Sequence, residues 1–546
     1  MLGLMQDEPL LVSSLIRHAA RHHGARQVVS RRVEGDIHRS NWREIHERAQ
    51  RLANALEALG LGEGDRVGTL AWNGHRHLEL YFGVSGKGSV LHTINPRLVP
   101  DQVAFIANHA GDRAIFFDLT FLPLVERVAP ACPGVKVFVA MTDRAHMPAE
   151  SKLPGLLCYE ELLERAAPAY RWPAFDENRA CTICFTSGTT GNPKGVVYSH
   201  RSTMLHTFSV ALPDSLSVSS RDVLLPVVPM FHVNAWGLPY AAAMVGAKLV
   251  FPGAALDGKS VHDLLESEQV TVSAGVPTVW QGLLAYVEKE GLRFSTMRRT
   301  VIGGAALSPA MLRLFEERYD VEALHAWGMT EMSPLGTACR LMPEEAALPA
   351  PAREALKLKQ GRAVYGVDMK VVGHDGAELP WDGKAAGDLY VRGPWIARRY
   401  LGEDHDPLVA DGQGLAWFPT GDVATIDAAG LMQITDRSKD VIKSGGEWIS
   451  SIDLENVAVG HPGIAMAACI GVKHPKWDER PIVVVVAKPG ATATREEVLA
   501  LYEGQVAKWQ VPDDVVFLEA LPMGATGKVQ KNRLREMFRD HLLGRA

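Results

Sequence analysis

Cysteine is scarce in this chain. Six residues in 546 (Cys132, Cys158, Cys181, Cys184, Cys339 and Cys469) do not make a disulfide scaffold. No fixed-period repeat or low-complexity tract is present, which excludes solenoids and propellers. Positive charge is not in excess either: 57 Lys plus Arg stand against 63 Asp plus Glu, a net of −6, whereas a nucleic-acid binder carries a basic face. The opening Met-Leu-Gly-Leu-Met-Gln-Asp-Glu-Pro has neither the cationic start nor the apolar stretch of a signal peptide. One run without Asp, Glu, Lys or Arg, 223–247, is long enough to cross a bilayer. It contains Pro226, Pro229, Pro239, His232 and Asn234, and lipid would not satisfy the backbone groups freed at those breaks. The run is therefore expected to be a buried strand and loop beside a pocket, in a cytoplasmic protein with no membrane span.

Hydrophobic residues make up 47% and charged residues 22%, a globular balance that excludes disordered and collagen-like chains. The length suggests three or four compact units at about 150 residues each. Glycine is enriched, with 50 residues against a usual ~7%, so some segments need backbone freedom. Helix and strand patterns alternate through the first half. Trp42, Ile45, Ala49, Leu52, Leu56 and Leu59 step by three and four, behind a capping-box-like Asn41-x-x-Glu44 and before Gly60. Strand-like runs at 66–71, 114–117 and 135–140 indicate a mainly parallel sheet with covering helices. The texture changes at the charged segment from Asp436. The remainder reads as a helix at 451–459, strands at 466–472 and 482–487, a helix opened by Thr494-x-x-Glu497 and a strand at 515–517, a plausible small α+β domain. The expected division is 1–435 and 436–546.

The sharpest local signal is Thr186-Ser-Gly-Thr-Thr-Gly-Asn-Pro-Lys-Gly195, between two strand-like runs. Its glycines (Gly188, Gly191) let backbone N–H groups converge on an anion, while Thr186, Ser187, Thr189, Thr190 and Lys194 add donors and charge. This is phosphate-cradle chemistry. It is not a Walker A loop, which runs G-x-x-x-x-G-K-[ST] into a helix, so a P-loop phosphotransferase is set aside. Cys181-x-x-Cys184 has no second pair, and residues three apart on a strand face opposite ways. His22-His23 and His75-x-His77 lack a further ligand at a metal-site spacing and are expected at the surface. Gly83-Val-Ser-Gly-Lys87 misses the nucleophile elbow by its last residue.

The glycine-rich loop resembles the signature of the adenylate-forming superfamily of acyl-CoA synthetases, peptide-synthetase adenylation domains and firefly-type luciferases. Met230-Phe-His-Val-Asn-Ala-Trp236, Gly303-Gly-Ala-Ala306, His325-Ala-Trp-Gly-Met-Thr-Glu331, Phe418-Pro-Thr-Gly-Asp422, Asp436-Arg437, Lys443-Ser-Gly-Gly-Glu-Trp448 and Gly524-Ala-Thr-Gly-Lys528 match the family's order and spacing across essentially the whole chain. Within the family the chain is most similar to medium- and long-chain fatty acid–CoA ligases and 3-(methylthio)propionate–CoA ligases.

The resemblance implies a large multi-subdomain α/β N-terminal part holding ATP and acid, and a mobile C-terminal lid hinged at Asp436. It implies ATP, CoA and a small carboxylic acid as substrates, Mg²⁺ as cofactor, and a homodimer. Lys528 would bridge carboxylate and α-phosphate, with Thr330 and His232 assisting; alone, Lys528 reads as part of a solvated basic tail, and His232 as a core histidine. Glu331 would hold Mg²⁺ with help from Thr186. Asp422 would bind ribose, against the simpler reading of an Asx-turn. Arg437, Lys439 and Lys443 would contact ribose or phosphate. Trp327 stands where the family places an aromatic on adenine, Gly303 and Gly304 would let backbone approach the base, and His325 and Ala326 would supply backbone contacts. Trp236 would gate the acyl pocket beside the nucleotide, with Val233 and Pro334 lining it; an ordinary buried Trp is the competing reading. Gly445, Gly446 and Glu447 would form the CoA tunnel, with Trp448 near nucleotide or tunnel. Luciferase-like oxygenases and non-catalytic AMP-binding regulators share the scaffold; Lys528, Glu331 and Asp422 together argue against a regulator.

Overall fold

The computed structural model describes residues 1, 3–186, 192–444, 447–524 and 528–543, apart from the side chains of Glu447 and Trp448. Trp42–Ala58 is a helix whose Asn41 side chain accepts from the Glu44 amide, with Gly60 (φ 73°) just beyond its end. The three early strands form at Arg66–Leu70, Asp112–Phe117 and Val137–Ala140. They belong to a seven-stranded sheet that is parallel except where Gly195–Ser199 returns against Ala180–Phe185. A nine-stranded sheet has a parallel centre built from Val223–Pro226, Lys248–Phe251, Val272–Gly275, Arg299–Ile302 and Glu322–Gly328. One apolar core containing Trp42, Tyr81, Phe116, Tyr240 and Phe251 joins the two sheets.

Parallel strands all deliver their carboxyl ends to one side, where ligand loops gather. Ala180–Phe185 delivers Thr186, Arg299–Ile302 delivers Gly303 and Gly304, and Glu322–Gly328 leads to Thr330 and Glu331. A five-stranded antiparallel sheet follows, containing Asp368–Val372, Gly387–Arg392, Ala416–Ile426 and Met432–Arg437. It was not foreseen in the sequence, because its strands alternate with glycine-rich turns that read as loops. The C-terminal part has its own sheet and core, with Ile442, Leu454, Cys469, Val483 and Tyr502 at its centre. Its helix Ser451–Val459, strands Ile464–His474 and Asp478–Ala487, and the Thr494–Glu497 capping box agree with the sequence pattern. The molecule thus has a large N-terminal α/β part and a small C-terminal one, not three or four separate units.

Two expectations are corrected. The 223–247 run is a strand, a loop, a short turn at Val233–Trp236 and a helix at Leu238–Val245, since Pro239 stands in a helix's first turn, where no amide is needed. His75 and His77 are buried, His77 sharing a 3.0 Å hydrogen bond with Thr69. All six cysteines are free and buried, and no helix of the described residues is long and apolar enough to cross a membrane.

The helix Leu238–Val245 ends at Gly246 (φ 72°), where a Cβ would lie 2.0 Å from His23 Cγ. Gly246→Ala is expected to cost more than the roughly 1–2 kcal/mol of the left-handed dihedral alone. In chemical denaturation, His23→Ala should recover the excess; a double mutant no more stable than Gly246→Ala would remove the contact as its cause.

Candidate active site

The phosphate-cradle loop is pinned at its base. The Thr186 amide donates to the Lys194 carbonyl at 2.9 Å, and the Lys194 amide donates to Thr186 Oγ1 at 3.3 Å. Ser187, Gly188, Thr189, Thr190, Gly191, Gly445 and Gly446 lie outside the described residues, as do the side chains of Glu447 and Trp448. The Lys194 ammonium stands 2.9 Å from Glu403 and 4.6 Å over the Tyr400 ring.

Tyr400 also reaches Glu331. Its hydroxyl donates to Glu331 Oε1 at 2.7 Å, the Ala397 amide donates to the Glu331 carbonyl at 2.7 Å, and Tyr198 donates to the Thr330 carbonyl at 2.6 Å. Thr330 and Glu331 are both buried, and burial pushes the Glu331 carboxyl above its ordinary range. Tyr400, Glu403 and Tyr198 were missed from sequence. No spacing links them to their partners, and Tyr400 stands 69 residues from Glu331.

Asp422 is buried across a strand pair from Arg437. Arg437 Nε lies 2.8 Å from its Oδ1, and the Trp327 indole N–H donates to its Oδ2 at 3.1 Å. Desolvation raises the Asp422 pKa, while Arg437, Lys528 and Trp327 oppose that rise. The Asp422 amide donates to Thr420 Oγ1 at 3.1 Å, a Ser/Thr-type turn in place of the Asx-turn considered above. Trp327 is itself buried, so a role for it includes holding a carboxylate as well as presenting a ring.

Lys528 enters this group from the C-terminal part. The residue is exposed, while desolvation of its ammonium lowers its pKa to about 8. Arg437 and Lys439 lower it further, while Asp422 and Glu331 act against the shift. A Cβ on Gly304 (φ 79°) would lie 4.0 Å from Lys528 Cε, and one on Gly303 would lie 2.8 Å from the Ala326 carbonyl oxygen and 3.2 Å from the Trp236 ring. The two glycines therefore form a floor shared by lysine, tryptophan and backbone. His325 turns its ring away, Nδ1 lying 3.0 Å from the Leu358 carbonyl, and the His325 carbonyl accepts from the Cys339 amide at 2.9 Å.

The acid side is built on unusual backbone. Val233, Asn234, Ala235 and Trp236 have φ of 47°, 52°, 49° and 57°, followed by Gly237 at 75°, a left-handed turn at roughly 1–2 kcal/mol per non-glycine residue. Asn73 accepts from the Met230 amide at 2.6 Å and donates to the Pro226 and Val228 carbonyls, while Tyr81 donates to the Met230 carbonyl at 2.5 Å. Val233 packs with Cys184, Val196 and Tyr198. His232 is half-buried near Lys528; burial first, and that lysine second, lower its pKa to about 4, so the ring is neutral near pH 7. Pro334 is buried, its carbonyl accepting from the Met329 amide at 3.1 Å. Lys439 stands close enough to Lys528 to affect its charge. Lys443 is exposed, its amide donating to Glu479 Oε2 at 3.1 Å.

Two buried carboxylates, a lysine whose charge they influence and a glycine floor lie beside the Thr186–Lys194 loop. Residues 15–401 match the AMP-binding enzyme family and residues 453–528 its C-terminal domain.

The chain belongs to the AMP-binding enzymes.

Among AMP-binding enzymes it is 53% identical over 544 residues to the 3-methylmercaptopropionyl-CoA ligase of Ruegeria lacuscaerulensis, covering 100% of each chain. It is 50% identical over 543 residues to the medium-chain-fatty-acid–CoA ligase of Ectopseudomonas oleovorans, covering 100% of this chain and 98% of that one. The anthranilate CoA ligase AuaEII, solved in complex with anthranoyl-AMP, shares the fold at a TM-score of 0.85, with 24% identity over 98% of this chain and 99% of that one.

Hydrogen bonds to charged groups contribute about 1.5–3 kcal/mol. Trp327→Phe keeps a ring and removes the donor to Asp422, so KM for ATP should rise roughly tenfold or more, with KM for CoA unchanged. Steady-state kinetics with each substrate varied would check this, and an unchanged ATP KM would show that the indole N–H does not serve the nucleotide.

Proposed function

We propose that this AMP-forming acid–thiol ligase activates 3-methylmercaptopropionate or a medium-chain fatty acid. The acid and ATP form acyl-AMP and pyrophosphate; CoA thiol then displaces AMP to give the thioester. The observation that carries the reading is Lys528, whose ammonium feels the charges of Asp422 and Glu331 and whose stem lies over Gly304. The choice of acid is supported by full-length identity to ligases for those two acid classes.

The first step brings an anionic carboxylate to an anionic phosphate, so its barrier falls when a cation is fixed at the meeting point. Lys528 supplies that cation. Asp422 accepts from ribose hydroxyls, steadied by Trp327 and Arg437; Thr186 and Lys194 hold phosphate, and Lys194 leaves Glu403 to do so. Lys439 adds phosphate charge from the cleft rim. His232, neutral, separates nucleotide from acid and donates or accepts without adding charge. Trp236 closes the acyl end, with Val233 and Pro334 behind it. Glu331 fits a hard cation, being a buried carboxylate with one tyrosine donor near the phosphate loop. Glu331 and Thr186 would hold Mg²⁺, which when bound neutralises phosphate charge.

The domains divide at 435/436. The C-terminal lid turns about Asp436 between half-reactions, withdrawing Lys528 and bringing Gly445 and Gly446 to the pantetheine arm. Support for this hinge comes from the Asp436 carboxylate, which accepts from the Ser451 amide at 2.6 Å and the Ser451 hydroxyl at 3.0 Å. The lid's first helix is thus tied to the hinge residue itself.

Lys528→Ala should abolish acyl-AMP formation and spare thioester formation from supplied acyl-AMP; equal loss of both would sink the assignment. Because the working form is the protonated amine with a pKa of about 8, adenylation kcat/KM for ATP should be full below that pH and fall as pH rises through it. A flat wild-type profile from pH 7 to about 9.5, the span over which such a group titrates, would contradict the cationic role.

An acid panel with ATP, Mg²⁺ and CoA, followed by AMP release, tests the substrate. Turnover should be highest on 3-methylmercaptopropionate or medium-chain acids, and Trp236→Ala should shift the chain-length profile more than ATP affinity. No turnover on either class would overturn the substrate reading, while an unchanged profile in the variant would remove the gate.

A further inference from the structure

Away from the nucleotide cleft, three loops meet at the carboxyl ends of parallel strands. Gln27–Arg31 leads to Arg32 and Glu34, Arg66–Leu70 to Trp72 and Arg76, and Val137–Ala140 to Asp143 and His146. Glu34, Asp143 and His146 each bring one ligand atom to within 4.8 Å of the other two. These are two carboxylate oxygens and one imidazole nitrogen, drawn from segments remote in sequence.

The Glu34 side chain is only 2% exposed. Its Oε1 accepts from Arg76 at 2.6 Å and from Thr142 at 2.8 Å, while its Oε2 is buried with no hydrogen-bond partner. Buried carboxylate oxygens are normally answered by a donor or a cation. The neighbouring charges do not answer it. Arg32 is engaged by Asp36 at 2.7 Å and reaches Asp143 only at 3.8 Å, and Arg76 is shared with Glu160 at 2.8 Å. Arg48 also meets Glu160, but it is matched by the fully buried Glu79. Glu34, Asp36, Asp143 and Glu160 thus face Arg32 and Arg76, leaving an excess of two negative charges.

A cavity of about 20 Å³ borders Glu34, Trp72, His75 and Arg76, enough for one water. Trp72 Nε1, His75 Nδ1 and Arg76 Nη2 are buried around it without partners. On the outer side, His146 is half exposed, with its Nδ1 2.7 Å from Asp143 Oδ1, so a cation has a path from solvent.

We propose that Glu34, Asp143 and His146 form a divalent-cation site of the Zn²⁺ type, with water completing the shell from the cavity side. Three O/N protein ligands and a water suit zinc, and the imidazole disfavours Mg²⁺, which prefers oxygen donors. The site would cross-link the loop after Val137–Ala140 to the loop after Gln27–Arg31. Its three ligands do not include Glu331.

The test is isothermal titration of the metal-stripped full chain with ZnCl₂ in excess MgCl₂, using wild type, His146→Ala and Glu34→Gln. Wild type should bind one Zn²⁺ per chain saturably, and each variant should weaken binding roughly tenfold or more. Zn²⁺ should raise the wild-type melting temperature and leave that of His146→Ala unmoved. His146 is half exposed, so its alanine variant folds and carries the test even if Glu34→Gln does not. Absence of saturable binding, or equal affinity in His146→Ala from zinc held at other histidines, would overturn the proposal.

Discussion

The ammonium of Lys528 sits among Asp422, Glu331, Arg437 and Lys439, and the rest of the cleft follows from keeping it there. Two carboxylates buried on the large part are held above their ordinary pKa by desolvation. Each therefore needs a positive or hydrogen-bonding neighbour to remain ionised. Arg437 and Trp327 serve Asp422; Tyr400 serves Glu331. Lys528 acts on both, but it is delivered by a different sheet and core. On the proposed mechanism its charge serves one half-reaction only, so it belongs on a part that can leave, while its partners belong on a frame that stays. Glu331 is held by Tyr400 of the large part, and Asp422 by Trp327 of that part together with Arg437, which stands just past the 435/436 boundary.

Left-handed strain is concentrated in one consecutive run. Val233, Asn234, Ala235 and Trp236 all have left-handed φ, the longest such run among the described residues. Such a turn persists only if its surroundings over-determine it. Asn73 and Tyr81 do so by holding Pro226, Val228 and Met230. Trp236 consequently meets Gly303 by backbone constraint, not by side-chain fit alone.

Much of this was legible in the sequence, and what was not had physical reasons. The helix at Trp42–Ala58, the early parallel strands and the C-terminal α+β elements follow from apolar period and capping, because those signals are local. The residues named from motifs were legible because those motifs are local: Glu331 follows Glu322–Gly328, Gly303 follows Arg299–Ile302, and Asp422 lies within Ala416–Ile426. Tyr400 on Glu331 and the Trp327 N–H on Asp422 were not legible, because side-chain pairs across 69 and 95 residues leave no spacing. The burial of His75 and His77 was misjudged for a related reason: a helix wrapped on several sides loses the amphipathic stripe that marks a surface helix.

The glycine excess ends in a specific geometry. A side chain at Gly303 would press on the Trp236 ring and the Ala326 carbonyl, and one at Gly304 would touch the Lys528 stem from a left-handed backbone. The acid-side tryptophan and the lid-borne lysine thus rest on adjacent peptide units. One bare stretch of backbone therefore underlies both the tryptophan and the lysine, and a side chain at either glycine would meet one of them.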